Sequence, residues 1–447
     1  MRGRVDKDLT EDLAFALGQS LADALQPRSV VLGRDIRASS PRLLEALSHG
    51  LQSKGVNVLD LGLCGTEEVY FATNHLRADA GVMVTASHNP IDYNGFKLVG
   101  RGATPLPEDL FRAIEARVAE RRPSRISALG KRVQINCRDA YVARVLSFVD
   151  PTRFAPQHLL ANAGNGTAGP TFDAVIDGLV TAGAPLSVLR LHHVPDPTFP
   201  NGIPNPLLPE NQPATAQATR KAGADLTVAW DGDFDRCFFF DHTGAFVPGE
   251  YIVGALAEAV LAQQPGARIV HDPRVMWNTQ RRVSEAGGQA VLSRTGHALV
   301  KARMRETDAA YGGEMSAHHY FRDFMYCDSG MIPWVLMLGR LSAAQTSLRD
   351  MIAGMRRDHP SSGEINFVTG SADSATRAVL NHFEAEADNI DWLDGLSLSA
   401  RNWRLNLRKS NTEPLLRLNV EARLDHGLMQ QKTQQAASVI ETFNVAA

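Results

Sequence analysis

Four clusters of polar residues hold most of the chemistry this sequence could perform. The first is Thr85-Ala-Ser-His-Asn-Pro90, which supplies the hydroxyl of Ser87, the imidazole of His88 and, ten residues past the serine, the amine of Lys97. A hydroxyl beside a proton carrier at the carboxyl end of a strand is where a nucleophile sits in an α/β protein. A lone Ser-His pair also suits a polar turn whose serine caps a backbone N–H. The second cluster is Asp231-Gly-Asp-Phe-Asp-Arg236, with carboxylates at alternate positions. Packed together they repel unless a hard cation such as Mg²⁺ sits among them. An EF-hand would need Gly and Glu where Arg236 and His242 stand, so that loop is excluded. The third cluster, Glu314, Ser316, His318 and His319, offers groups that hydrogen-bond sugar hydroxyls, although adjacent histidines also serve packing or surface roles. The fourth is Arg408, Ser410, Asn411 and Thr412, a guanidinium, hydroxyls and an amide able to grip a phosphate from several sides.

Each cluster follows a segment that reads as a strand. Val82 and Val84 end a buried strand, after which Pro90 breaks the pattern and Gly95 permits a turn, so Ser87 to Lys97 is expected as one loop. Upstream, a strand over 29–33 ends in Arg34-Asp35, and a helix follows with Ser40 as cap, Pro41 in its first turn, Leu44, Leu47 and Leu51 on one face, and Gly55 as its stop. The next strand is expected over 56–61. Residues 120–125 are basic and irregular and approach a boundary. A second unit has strands over 158–161 and 186–191 around a helix over 172–179. A proline-rich loop over 195–211 follows, then a strand over 225–230 that delivers Asp231. A third unit alternates strand 268–271, helix 276–286, strand 289–293 and helix 298–305, and its last strand, near 309–311, precedes Glu314. The fourth alternates around Leu405, Leu407, Leu416, Leu418 and Val420, with 408–414 as the loop between.

At 447 residues the chain exceeds one hydrophobic core. The expected domains are 1–138, 139–242, 243–358 and 359–447. A formal net charge of −3 gives no case for nucleic acid or an anionic membrane as partner. The longest apolar run, Met331 to Leu338, contains Pro333 and spans no bilayer, and the first 25 residues lack a signal core. Cys64, Cys137, Cys237 and Cys327 form no Cys-x-x-Cys pair, which argues for reduced thiols in the cytoplasm and against a zinc site.

Taken in order, the four loops, the third as Gly313-Glu-Met-Ser-Ala-His318 and the fourth as Arg408-Lys-Ser-Asn-Thr-Glu-Pro414, resemble the signature loops of the α-D-phosphohexomutases. Gly202-Ile-Pro-Asn-Pro-Leu207 and Tyr320-Phe-Arg-Asp-Phe324 are similar to the bacterial phosphomannomutase branch. The resemblance spans essentially the whole chain. It implies three related mixed-sheet α/β domains and a smaller α+β C-terminal domain around a central cleft. It implies that Ser87 carries the transferable phosphoryl group, and that Asp231, Asp233, Asp235 and the phosphate on Ser87 hold Mg²⁺ with Arg236 beside them. His88, Lys97 and His318 match positions near the reacting oxygen, with acid and base unassigned. Glu314 and Ser316 match readers of sugar hydroxyls, Arg274, His297 and His318 match further substrate-binding positions of the active site, and Arg408, Ser410, Asn411 and Thr412 match the grip on the non-reacting phosphate. The implied reaction interconverts mannose 6-phosphate and mannose 1-phosphate through a hexose 1,6-bisphosphate, which also serves as activator. It would feed GDP-mannose and polysaccharide synthesis without an obligatory protein partner. Phosphoglucomutase or dual specificity is the alternative.

Two departures stand out. Relatives begin with a strand ending Tyr-Asp-Ile-Arg-Gly, whereas this chain starts Met1-Arg2-Gly3. Arg2 matches the arginine, but its strand is expected to be missing, so an upstream extension should raise activity. Ala317 replaces a glycine common in relatives, and its methyl is expected to change little. An aspartyl phosphatase built on Asp231 and Asp233 gives no role to Ser87 or to 408–414, and a non-catalytic sugar-phosphate binder would not keep every reactive group.

Overall fold

The computed structural model describes residues 1–120, 129–410 and 415–444. Most of the basic stretch expected at 120–125 lies outside them. Two compact units emerge, one of Met1–Phe246 with His318–Gln345 and the other of Val247–Ala317 with Thr346–Ala447.

The first unit contains two sheets. In spatial order, the six strands of the first are Arg2–Arg4, Tyr93–Gly100, Ala80–Val84, Ser29–Arg34, Asn57–Leu63 and Arg132–Gln134. The last four run parallel and Tyr93–Gly100 is antiparallel to both of its neighbours, a mixed sheet with its core strand Ala80–Val84 fully buried. Buried on both faces, that strand reads as unbroken small and apolar residues. The helix Ser40–Gln52 places Leu43, Leu44, Leu47 and Leu51 in the core under this sheet. Its cap position is Ser39, not Ser40. Ser40 lies inside the helix, and its hydroxyl donates to Asp35 Oδ1 at 2.5 Å.

Three sequence expectations are corrected here. Arg2–Arg4 is a strand after all, paired with Tyr93 to Gly95, because the extended backbone of Tyr93–Gly100 offers it a free edge. Gly95 is no turn. It faces Arg2 across the ladder, where a Cβ would come within 2.4 Å of the Met1 carbonyl oxygen. Lys97 is therefore on a strand, opposite Met83, and the loop after Val84 ends before Tyr93.

Four of the five strands of the second sheet are, in spatial order, Cys237–Asp241, Leu226–Trp230, Gln157–Asn162 and Leu186–Leu191, the first antiparallel and the others parallel. Leu226–Trp230 and Cys237–Asp241 are wholly buried, so the short turn between them holds its carboxylates at the end of a rigid hairpin. The apolar run at 331–338 opens the helix Ile332–Ala344 and is buried throughout. No helix among the described residues is long and apolar enough to cross a membrane.

In the second unit, Gln289–Leu292, Arg268–His271 and Tyr311–Gly313 are parallel. The strand expected near 309–311 thus starts at Tyr311 and runs into the glycines. The C-terminal part is an antiparallel sheet ordered Ser361–Phe367, Leu416–Ala422, Trp403–Lys409, Leu396–Ser399 and Asn389–Asp391. Helices Ala372–Phe383 and His426–Glu441 contribute Val379, Phe383, Ala436 and Ile440 to its core. Arg408 belongs to a strand rather than a loop, because its partner Arg417 continues the ladder. All four cysteines are free, three of them buried.

Candidate active site

In the first unit the serine loop and the aspartate turn meet. Ser87 Oγ donates to Asp231 Oδ2 at 2.6 Å, and His88 Nδ1 lies 2.9 Å from the same hydroxyl. Ser87 is buried and has φ +53°, a left-handed backbone that an L-residue holds only when its surroundings enforce it. Gly232 allows the approach, since a Cβ there would stand 2.7 Å from the Ser87 carbonyl oxygen.

Charge is concentrated and buried. Arg236 donates from Nε (2.9 Å) and Nη2 (2.7 Å) to Asp231 Oδ2, and its Nη2 also meets His88 Nδ1. Burial alone would raise the Asp231 carboxyl, but the Arg236 guanidinium and the His88 contact hold it well below the usual range. Lys97 Nζ donates to Asp233 Oδ2 at 2.7 Å and also to Asp235 Oδ2. Asp233 is lowered, Lys97 overcoming its burial, whereas Asp235 is pushed up to about 8 by burial and by Asp233. Burial would lower the Lys97 ammonium, but the two carboxylates raise it, so it stays charged. His88 is lowered to about 4, first by desolvation and then by Arg236, and so is a neutral imidazole at pH 7. His318, paired through its backbone with Arg236, points Nε2 at Asp235 Oδ1 from 3.7 Å.

The ligand atoms of Asp231, Asp233 and Asp235 lie within 4.8 Å of one another. Asp231 Oδ1 and Asp233 Oδ1 are buried and accept no hydrogen bond among the described residues. Three converging carboxylates with two idle buried oxygens fit a hard divalent cation.

The second unit gathers another set. Arg274 Nη2 donates to Asp272 Oδ2 at 2.7 Å and lies 3.5 Å from Ser316 Oγ and 3.8 Å from Glu314 Oε1. Glu314 Oε1 also accepts the Gly296 N–H at 2.9 Å. Arg274 and Arg408 both reach Glu364 Oε2 at 3.4 Å, and Arg417 reaches its other oxygen at 3.3 Å. His297 is exposed at the start of the helix His297–Thr307, and the Ser410 N–H donates to the Leu415 carbonyl. Asn411 and Thr412 lie outside the described residues.

Sequence reasoning missed several groups. Thr66 donates to Asp233 Oδ2 at 2.5 Å from 167 residues away. Arg404 donates to the carbonyls of Pro273 (2.7 Å) and Arg274 (3.1 Å) and to Glu421 Oε1 (2.9 Å), bracing the Asp272–Arg274 turn. Arg37 holds the serine loop itself, as described below. The alternation in the Asp-x-Asp-x-Asp turn was visible; contacts across such separations carry no local signal.

A buried serine against an ionised aspartate, beside Arg, Lys and two further carboxylates on an α/β scaffold, is an arrangement suited to positioning and neutralising a transferred phosphoryl group. Family models for phosphoglucomutase/phosphomannomutase match all four of their domains in this chain: α/β/α domain I at residues 1–125, domain II at 139–244, domain III at 248–357 and the C-terminal domain at 364–438. A Salmonella typhimurium protein described as a phosphomannomutase is 50% identical over 443 residues, covering 98% of this chain and 97% of the relative. A Xanthomonas campestris protein described as phosphohexose mutases is 51% identical over 442 residues, covering 98% and 97%. A solved Burkholderia thailandensis structure of a phosphoglucomutase/phosphomannomutase family protein matches with TM-score 0.87 at 30% identity, over 99% of this chain and 96% of that one. The chain belongs to the phosphoglucomutase/phosphomannomutase family of α-D-phosphohexomutases.

Proposed function

We propose that the protein is a phosphomannomutase that interconverts mannose 6-phosphate and mannose 1-phosphate, with Ser87 as phosphoryl carrier and a hexose 1,6-bisphosphate as intermediate and activator. The observation that carries this reading is Ser87 Oγ held 2.6 Å from Asp231 Oδ2 beside Arg236, in a chain half-identical to phosphomannomutases. Asp231, Asp233, Asp235 and the phosphate on Ser87 would hold Mg²⁺, which when bound neutralises charge on the moving group. Arg236 orients that group and shares its charge. In the return transfer the Ser87 proton has two acceptors in reach, Asp231 Oδ2 at 2.6 Å and His88 Nδ1 at 2.9 Å. Lys97 contributes charge as an ammonium, and His318 stands near Asp235 as a further proton carrier. Glu314, Ser316, Arg274 and His297 bind sugar hydroxyls, and Arg408 and Ser410, with Asn411 and Thr412, bind the non-reacting phosphate.

Glucose phosphate is the slower alternative substrate. The two sugars differ only at the 2-hydroxyl, so one displaced neutral hydrogen bond gives about a two- to tenfold preference. The test is kcat/KM for mannose 1-phosphate and glucose 1-phosphate on wild type and Ser316→Ala, with intact-mass analysis locating phosphate on Ser87. A wild-type preference for glucose overturns the sugar assignment. Wild-type-like turnover by Ser87→Ala in the presence of the bisphosphate overturns the mechanism.

A further inference from the structure

One buried guanidinium organises the whole serine loop. Arg37 is only 1% exposed. Its Nη2 donates to the carbonyls of Ser87 (2.9 Å) and Asn89 (2.6 Å), and its Nη1 to those of Pro90 (2.8 Å) and Tyr93 (3.0 Å). Four carbonyl dipoles from seven residues therefore converge on one cation, an arrangement that would repel itself without it. The same loop forces Ser87 to φ +53°. Thr85 Oγ1 accepts the Ser87 N–H at 2.8 Å and Gly232 backs the Ser87 carbonyl, while Arg37 binds the backbone on both sides of Pro90 with one guanidinium.

Arg37 is itself fixed. Asp35 Oδ1 accepts its backbone N–H at 3.0 Å, Asp35 Oδ2 lies 3.5 Å from Nε, and the Phe199 ring stands 5.8 Å from the guanidinium carbon. Apolar replacement of a buried ion pair is often neutral or stabilising, so stability alone does not account for a pair of this kind.

We propose that Arg37 is the positioning residue of the phosphoryl-carrying loop: it fixes Ser87 through the loop's own carbonyls and touches no reacting atom. The inference rests on Ser87 being the carrier. A lysine would keep the charge but lacks the planar fork that reaches four acceptors, so geometry and charge are separable by substitution.

The experiment measures single-turnover transfer from hexose 1,6-bisphosphate to Ser87 by rapid quench and intact mass, at saturating Mg²⁺. It compares wild type, Arg37→Lys, and the charge-neutral double variant Asp35→Asn with Arg37→Met. Both variants should transfer about a hundredfold more slowly, as a reacting group misplaced by about an ångström does. KM for hexose 6-phosphate and the Mg²⁺ dissociation constant should stay within about threefold of wild type, which a general loss of structure would not allow. Transfer by Arg37→Lys within about threefold of wild type overturns the proposal, as does a rate loss matched by loss of Mg²⁺ affinity. Failure of both variants to fold also overturns it, since Arg37 would then support the core rather than the loop. If wild type itself takes no phosphate at Ser87, the phosphoserine reading fails first, and that result is distinct from all the others.

Discussion

Replacing Arg236 by methionine isolates how the site manages its buried charge. In the wild type, two guanidinium nitrogens meet one oxygen of Asp231 at 2.9 and 2.7 Å, with both side chains almost without solvent. Removing one partner of a buried pair costs about 3–5 kcal/mol, because the other charge is left uncompensated. At about 1.4 kcal/mol per tenfold, hydrogen-exchange protection in Leu226–Trp230 and Cys237–Asp241, the strands flanking the turn, should fall by roughly two to four powers of ten at pH 7. Mg²⁺ at about one hundred times its dissociation constant should return about 2.7 kcal/mol, since a cation bound only by the folded state substitutes for the lost charge. The pH dependence carries a sign. In wild type Asp231 is held below its ordinary value, so its contribution is present above the carboxylate range and is lost as pH falls through the folded value. Without Arg236, burial dominates and raises Asp231, so the folded variant gains relative stability on acidification. The gap between variant and wild type should therefore widen from about pH 5 to about pH 8. A gap constant over that range, or protection that ignores Mg²⁺, would refute the reasoning.

Exhaustive chelation should abolish mutase turnover and Mg²⁺ should restore it; full activity in metal-free buffer would count against the carboxylate site. Glu250 is buried at the start of the helix Gly249–Gln263, and desolvation pushes its carboxyl up to about 7. A folded value above the unfolded one means stability falls as pH rises from the ordinary carboxylate range through about 7, so Glu250→Gln should stabilise by about 2–4 kcal/mol at pH 8 and by little near pH 4. Equal unfolding midpoints for the two proteins at pH 8 would sink that expectation. Ala317 has φ +68° and is buried. Ala317→Gly relieves backbone strain but loses a buried methyl and loosens the unfolded chain, leaving a change under about 1 kcal/mol. Ala317→Val should cost at least about 2 kcal/mol, because a β-branched residue tolerates that backbone poorly; equal melting of the two variants would refute it.

That last position shows where sequence reasoning reaches its limit. Nothing in Glu314-Met-Ser-Ala-His318 states that Ala317 is left-handed, a backbone feature that only the folded chain displays. Periodicity is legible: strands, helices and the Asp231, Asp233, Asp235 alternation all follow local rules, and most boundaries agree to within a residue or two, although the helix expected over 172–179 begins at Ala168. Lys97 and Arg408 look like loop residues in sequence, the first because Pro90 and Gly95 precede it and the second because it opens a polar run, yet both lie on strands. Their strands continue only because Met83 and Arg417 offer partners across the ladder. Adjacent histidines were equally ambiguous, yet the structure separates them. His319 is fully buried, with its imidazole lowered to about 3 by desolvation, while His318 turns to Asp235. The deepest omission was Arg37. A guanidinium that binds backbone carbonyls from 50 to 56 residues away depends on no side-chain motif, because carbonyls are common to every residue. Chemistry that a site performs with side chains is written in the sequence; chemistry it performs by shaping its own backbone becomes visible only once the chain is folded.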